Sequence, residues 1–280
     1  DSETREEAAI AQLLKERFTQ LGCQVQEDDA KRKTGFGANN LIVTLPGNQK
    51  QADKIFFSAH MDTVNPGTGI RPILHEDGMI TSSGDTILGA DDKVGIAVML
   101  ELIQVLKEQE LPHGQIQFLL TVGEESGIMG AQALDQQLLD ADYGFTLDSS
   151  GQVGEVVTAA PYKAKMKVTV HGKAAHAGLH PEDGISAILV ASEALLKMPL
   201  GRIDHETTAN FGQFIGDVAT NVICDQVTLL GEARSQKEEK VEAQLKTMEE
   251  TFKQAAREKG ATVEIEVKRL YPGYQYDEKA

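Results

Sequence analysis

The chain is 280 residues long, 41% hydrophobic and 25% charged, with 27 Lys+Arg against 43 Asp+Glu and a formal net charge of −16. That length accommodates two domains with sizeable cores. The acid excess, with no Lys/Arg cluster forming a basic stripe, excludes nucleic acid and anionic membrane surfaces as expected partners, and no apolar run approaches the ~18 residues of a membrane-spanning helix.

In chain order, the polar start DSETREEAAI reads as neither a signal nor a transit peptide. Ser2 or Thr4 can cap a helix over residues 5–21, with Ala8, Ala9, Leu13, Leu14, Phe18 and Leu21 inward and Gly22 closing it. Residues 40–45 (NLIVTL) predict a short strand ended by Pro46-Gly47. The run IFFSA at 55–59 is apolar without alternation and predicts a strand buried on both faces. A turn-rich stretch follows, with a hairpin arm at 79–84. Residues 91–107 predict a helix whose apolar repeat runs through Val94, Ala97, Val98, Leu102, Val105 and Leu106, with Glu101 the exception. Residues 115–122 (QIQFLLTV) and 143–147 (YGFTL) predict two further strands. Strand, helix, strand in this order implies right-handed crossovers onto a mostly parallel sheet.

The pattern changes near Pro161. In residues 162–171, Ala164, Met166, Val168 and Val170 alternate with Lys163, Lys165, Lys167 and Thr169, which predicts a half-exposed strand. A helix at 184–197, strands at 207–215 and 221–233, a polar helix at 236–258 and a strand at 261–270 complete a β-α-β-β-α-β order, the ferredoxin-like unit. The predicted fold class is therefore α/β. A mostly parallel-sheet domain covers residues 1–160, an inserted α+β ferredoxin-like domain covers 161–270, and 271–280 return toward the first. Cys23 and Cys224, far apart and outside any CxxC pattern, read as reduced buried thiols of a cytoplasmic protein.

The chemistry gathers where strands end. IFFSA runs into His60 and, two residues on, Asp62; QIQFLLTV runs into Gly123-Glu124-Glu125; YGFTL runs into Asp148; and Gly89-Ala90-Asp91-Asp92-Lys93 opens the helix between them. In open α/β sheets, reactions occur beyond the carboxyl ends of the strands. Taken singly, Asp91 is an ordinary helix cap, Glu124-Glu125 a solvated turn and Asp148 a loop acid. Taken together, they would place five carboxylates around one imidazole. Two like charges ~4 Å apart repel by roughly 4 kcal/mol at an effective dielectric near 20. Either some carboxylates are protonated, or cations offset them. A mixed imidazole and carboxylate set favours metals, zinc first. Asp91, entering between the others, is placed to bridge two ions, while one member of the Glu doublet can bind metal and the other face a water.

SAHMDTV, GADDKVG, TVGEESG and LDSSG, in this order, resemble the zinc-dependent family of peptidase T, carboxypeptidase G and related di- and tripeptidases. The resemblance covers essentially the whole chain. It implies His60 and Asp148 on one zinc, Glu125 on the other, Asp91 bridging both, Glu124 as general base and Asp62 orienting His60. It also implies a cis peptide between Asp91 and Asp92. The first domain would then be the catalytic, metal-binding one, and the second a lid that forms a homodimer contact. GKAAHAG at 172–178 matches the lid motif whose histidine, here His176, helps hold the oxyanion of the scissile carbonyl. Asn221 and Arg234 fall where lid residues meet the substrate, and an arginine suits a carboxylate because its planar fork binds it bidentately.

Two departures accompany the resemblance. The family's catalytic domain resumes after the lid and supplies a final histidine ligand, whereas the tail YPGYQYDEKA carries none, so the chain reads as clipped at both ends and the Glu125 metal is expected to lack a ligand. The HAG lid motif is closer to carboxypeptidase-G-type members than to peptidase T. The expected function is that of a metallopeptidase using two divalent ions, zinc with cobalt or manganese as alternatives, to remove the N-terminal residue of tripeptides. An N-acyl amino acid amidohydrolase of the same chemistry and a non-catalytic binding or dimerisation relative are the other readings.

Overall fold

The most continuous apolar runs of the first half, at 41–45 and 116–121, form the buried middle of its sheet. The computed structural model describes residues 1–276, and the chain divides at Val153/Gly154 into two units. In the first, the elements are α1 (Ala8–Gln20), β1 (Gln24–Glu27), α2 (Ala30–Thr34), β2 (Leu41–Leu45), β3 (Ile55–His60), the hairpin β4 (Pro72–Leu74) and β5 (Ile80–Ser82), α3 (Ala90–Glu108), β6 (Ile116–Thr121), α4 (Met129–Ala133) and β7 (Tyr143–Thr146). The sheet order is β1-β2-β6-β3-β7. β3 is parallel to both its neighbours, and only β2 runs against the common direction, pairing antiparallel with β1 and β6. Phe18, Leu41, Met99, Ile103 and Phe118 lie in the core beneath it, with the Phe18 and Phe118 rings stacked 5.8 Å apart. Burying each such side chain contributes about 1.5–3 kcal/mol.

Three local expectations are corrected. The first helix begins at Ala8, and neither Ser2 nor Thr4 caps it; Glu7 is its N-cap residue, without a side-chain capping bond. Its inner stripe is Ala11, Leu14 and Phe18, and Leu13, one residue off that stripe, is 47% exposed. The inner face of α3 is Asp92, Gly95, Ile96, Met99, Ile103 and Leu106, leaving Val94 and Val98 in solvent. This helix carries two apolar rows: Leu106 of the expected repeat is buried and Leu102 packs against the core, whereas its Val94, Ala97 and Val98 lie on the outer row. Finally, Ile55–Ser58 of β3 are half-buried, because β7 beside them is a sheet edge with Tyr143 and Phe145 exposed.

In the second unit, β8 (Ala159–Ala160) and β9 (Tyr162–His171) precede α5 (Ala187–Lys197), β10 (Gly201–Arg202), β11 (Thr207–Ile215), β12 (Gln226–Ser235), α6 (Glu238–Lys259), β13 (Thr262–Tyr271) and β14 (Tyr274–Gln275). The sheet order β10-β11-β12-β9-β13 is antiparallel throughout, which is the ferredoxin-like arrangement with β10 added at one edge. The alternation read along β9 holds: Ala164, Met166, Val168 and Val170 are all buried and share a core with Val190 of α5 and Phe252 of α6. Acids open α6, Lys259 ends it, and Gly260 closes it at φ 70°, so charge and backbone both agree with the helix dipole. Within the segment 271–280, Tyr274–Gln275 pair with Ala159–Ala160, and residues 277–280 lie outside the described residues. Among the described residues no helix is long and apolar enough to cross a membrane.

Candidate metal centre

Parallel register brings the strand ends level. His60 pairs with Thr121, so the residues just after β6 lie beside those just after β3. Ser58 pairs with Thr146, and the Leu147 amide continues the ladder by donating to the Ser58 carbonyl at 2.8 Å, which carries Asp148 to the level of His60. Asp91 arrives from the other direction, at the start of α3, and its peptide bond to Asp92 is cis. His60, 2% exposed, therefore meets acids from two other elements: its Nε2 lies 3.0 Å from Asp91 Oδ1 and 3.9 Å from Asp148 Oδ2.

Two groups of potential ligand atoms result, His60/Asp91/Asp148 and His60/Glu124/Glu125, each with its atoms within 4.8 Å of one another. Four separate stretches of sequence thus converge on one imidazole. The Glu doublet follows Gly123, whose φ is +62° and whose missing side chain makes room for the Phe36 ring; a Cβ there would fall 1.8 Å from Phe36 Cε2. Asn40, fully buried, ties down the segment beyond it by accepting from the Val122 amide at 3.2 Å and donating to the Gly130 carbonyl at 2.8 Å.

Asp62 lies beneath the cluster with no exposure. Its Oδ1 accepts from the Glu124 amide at 3.0 Å and its Oδ2 from the Glu125 amide at 3.3 Å. On the other side it faces His60, whose Nδ1 lies 2.9 Å from the Asp62 carbonyl oxygen. One residue therefore braces both the imidazole and the acidic turn.

The electrostatics reflect crowding. Burial raises the Glu124, Glu125 and Asp148 carboxyls, and the neighbouring acids add to the rise against the opposing pull of His60. Burial alone would depress His60, yet the carboxylates of Asp62, Asp91 and Asp148 overcome it and push the imidazole up to about 9. Asp62 moves the other way: its burial is outweighed by hydrogen bonds from His60, Thr4 and the Glu124 amide.

Three participants escaped the sequence reading. The Thr4 hydroxyl donates to Asp62 Oδ2 at 2.8 Å. Asp92, 4% exposed, accepts from the Gly95 amide at 3.2 Å through Oδ1, and burial followed by Asp148 pushes it up to about 7. Lys93 brings a buried Nζ toward Asp62 and Asp91 and, like Asp92 Oδ2, has no hydrogen-bond partner among the described residues. The signal for the last two was present, since the GADDK doublet puts a second acid and a base beside Asp91. The donor set fits divalent cations. It offers hard carboxylate oxygens and one neutral-capable imidazole, and the crowded acids exceed the positive charge of His60 and Lys93.

His176, Asn221 and Arg234 belong to the second unit. There His176 bridges to Val222, the Ala177 amide donates to the Asn221 carbonyl at 2.9 Å, and the Gly178 amide donates to His176 Nδ1 at 3.2 Å. Arg234, on β12, donates through Nε to Glu232 Oε1 at 2.6 Å on its own strand.

A family model described as "Peptidase family M28" matches residues 40–185, and one described as "Peptidase dimerisation domain", from the M20 set, matches 160–260. The YqjE protein of Bacillus subtilis is 53% identical over 278 residues, spanning 99% of this chain and 74% of that protein. Peptidase T of Desulfitobacterium hafniense is 32% identical over 230 residues, 70% of this chain and 54% of that protein. Among solved structures, aminopeptidase PepT of Bacillus cereus aligns with TM-score 0.96 and 53% identity over all of this chain and 75% of its own. A tripeptidase of Staphylococcus aureus aligns with TM-score 0.97 and 46% identity over all of this chain and 74% of its own. The chain thus spans about half of the peptidase T protein and about three quarters of the two solved structures. With the acidic strand ends and the ferredoxin-like unit both in place, the chain belongs to the peptidase T-like members of the M20 metallopeptidase family.

Proposed function

We propose that this chain belongs to an aminopeptidase that removes the N-terminal residue of tripeptides with the help of two divalent cations, zinc first. The observation that carries this reading is the pair of ligand groups sharing His60 in a chain 46% identical to a tripeptidase. His60 and Asp148 would hold one ion, Glu125 the other, and Asp91 both. Bound there, such ions polarise a carbonyl and make a water more acidic.

The chain's own residues divide the remaining work. Glu124 is the general base: its carboxylate takes a proton from the attacking water and returns it to the leaving amine. A carboxyl raised by burial suits that task, because it holds the proton more readily than an exposed glutamate. Asp62 keeps the His60 ring oriented and the Glu124–Glu125 turn in place. His176 would steady the oxyanion of the scissile carbonyl, and Asn221 and Arg234 would meet the substrate backbone and carboxylate, Arg234 turning from Glu232 to do so. A homodimer through the second unit is the assembly that the dimerisation-domain match supports.

The test offers purified protein tripeptides, dipeptides and N-acetyl amino acids, with metal content measured alongside. Tripeptide cleavage with tight zinc, and a Glu124→Gln variant that keeps its metal but loses 10²–10⁴-fold in rate, is the expected result. Cleavage of N-acyl compounds alone, or an unchanged rate in Glu124→Gln, would overturn the assignment.

A further inference from the structure

The first seven residues form a strap against the segment that follows β3. The Thr4 amide donates to the Thr63 carbonyl at 3.0 Å and the Thr63 amide to the Ser2 carbonyl at 2.9 Å, so Glu3 and Thr63 form a parallel bridge. The Ser2 hydroxyl donates to the Met61 carbonyl at 2.7 Å. Glu7, fully buried, clamps the far end by accepting from the Arg5 amide at 3.0 Å and the Gly37 amide at 2.9 Å. Gly37 cannot gain a side chain without meeting the Arg5 carbonyl, since a Cβ there would lie 2.6 Å from it. Register and position of the strap are therefore fixed from both ends.

Thr4 stands in the middle of this strap, and it alone reaches toward the metal centre. Asp62 is fully buried, and its ionised carboxylate can only accept. Oδ1 has the Glu124 amide at 3.0 Å, whereas Oδ2 has the Glu125 amide at a longer 3.3 Å and the Thr4 hydroxyl at 2.8 Å. Thr4 thus supplies the shorter of the two bonds at Oδ2 and the shortest of the three that fix the carboxylate's rotation. That rotation sets where Oδ1 stands relative to His60 Nδ1, now 3.4 Å away, and how the Glu124–Glu125 turn is held.

We infer that Thr4 is a positioning residue of the metal centre, fixing the Asp62 carboxylate and, through it, the His60 ring and the turn bearing Glu124 and Glu125. The inference rests on the metal-centre reading above. Partners one step behind a metal ligand typically tune affinity 10–100-fold, and Thr4 lies a further step back.

The test uses the full protein with Thr4→Val, which keeps shape and removes the donor, Thr4→Ser, which restores it, and Ser2→Ala as a purely structural control. Zinc affinity is measured by calorimetry, and the His60 ring nitrogens are followed by NMR in the metal-free protein. Thr4→Val is expected to weaken zinc about tenfold and displace the His60 ring resonances. Thr4→Ser should match the parent, and Ser2→Ala should lower the melting temperature with zinc affinity unchanged. Unmoved His60 resonances in Thr4→Val, or a Ser2→Ala loss of zinc affinity as large as that of Thr4→Val, would overturn the inference. A parent protein that takes up no zinc would instead defeat the metal reading, and the metal-free His60 resonances would still decide the role of Thr4.

Discussion

His60 and Asp62 meet through two acceptors: the imidazole Nδ1 lies 2.9 Å from the Asp62 carbonyl oxygen and 3.4 Å from its carboxylate Oδ1. The carbonyl fixes the ring's direction, and the carboxylate adds the charge that favours the imidazolium. With Asp91 and Asp148 on the opposite nitrogen, the metal-free site holds its proton tightly, up to about 9.

That proton makes the metal-free protein unusual in its pH dependence. An unfolded histidine titrates near 6.5, so the stability from His60 is complete below that value and disappears as pH rises through about 9. Asp92, raised to about 7 by burial and Asp148, favours the fold least once it ionises, and Glu124, Glu125 and Asp148 are shifted in the same direction. Asp62 opposes them only in acid, because its lowered carboxyl contributes above about 4 and is lost below. Chelated protein should therefore lose thermal stability steadily from pH 5 to pH 9. The slope is about 1.4 kcal/mol per pH unit for each proton held only in the folded state. Melting temperatures measured across that range in excess chelator check this; a flat or rising profile would be inconsistent with an acid-crowded site.

Gly123 and Phe36 set the height of the Glu124–Glu125 turn. An alanine at 123 carries two costs: a left-handed backbone at φ +62°, and a Cβ 1.8 Å from Phe36 Cε2. Gly123→Ala should destabilise by about 2–4 kcal/mol. Adding Phe36→Leu should return the steric part and leave the backbone part, giving a coupling between the two changes. Urea unfolding of the two single variants and the double variant measures it. Strict additivity would show that the ring is not what excludes a side chain at 123.

The acidic strand ends were legible in the sequence because parallel pairing leaves them no choice. Once the runs before His60 and Glu124 are strands of one sheet, their ends share a level, and the pairing of Ser58 with Thr146 brings Asp148 to the same place. The alternation of β9 was equally plain, since one face meets helices and the other carries lysines. The inner face of α3 was not legible: two apolar rows compete there, and nothing local tells Val94 and Val98 from Ile96 and Met99. Thr4 was misread for a different reason. A hydroxyl before a helix usually satisfies that helix's own amides, and only the fold reveals that Asp62 lies within its reach.

Asn40 offers the sharpest test of how the loop after β6 is held. Its fully buried side chain accepts from the Val122 amide at 3.2 Å, donates to the Gly130 carbonyl at 2.8 Å and donates to the half-buried Asp28 Oδ2 at 2.7 Å. Truncation leaves a buried amide, a buried carbonyl and a carboxylate short of partners, so Asn40→Ala should cost about 2–4 kcal/mol. Asn40→Asp is the more diagnostic change. It keeps the acceptor for Val122, loses the donor, and sets a second carboxylate against Asp28, a repulsion that protonation removes. The penalty of Asn40→Asp should therefore be greater at pH 7 than at pH 4.5, whereas that of Asn40→Ala should change little between the two. Chemical denaturation of both variants at the two pH values distinguishes them, and equal penalties for Asn40→Asp at both would mean that the Asp28 contact does not hold the loop.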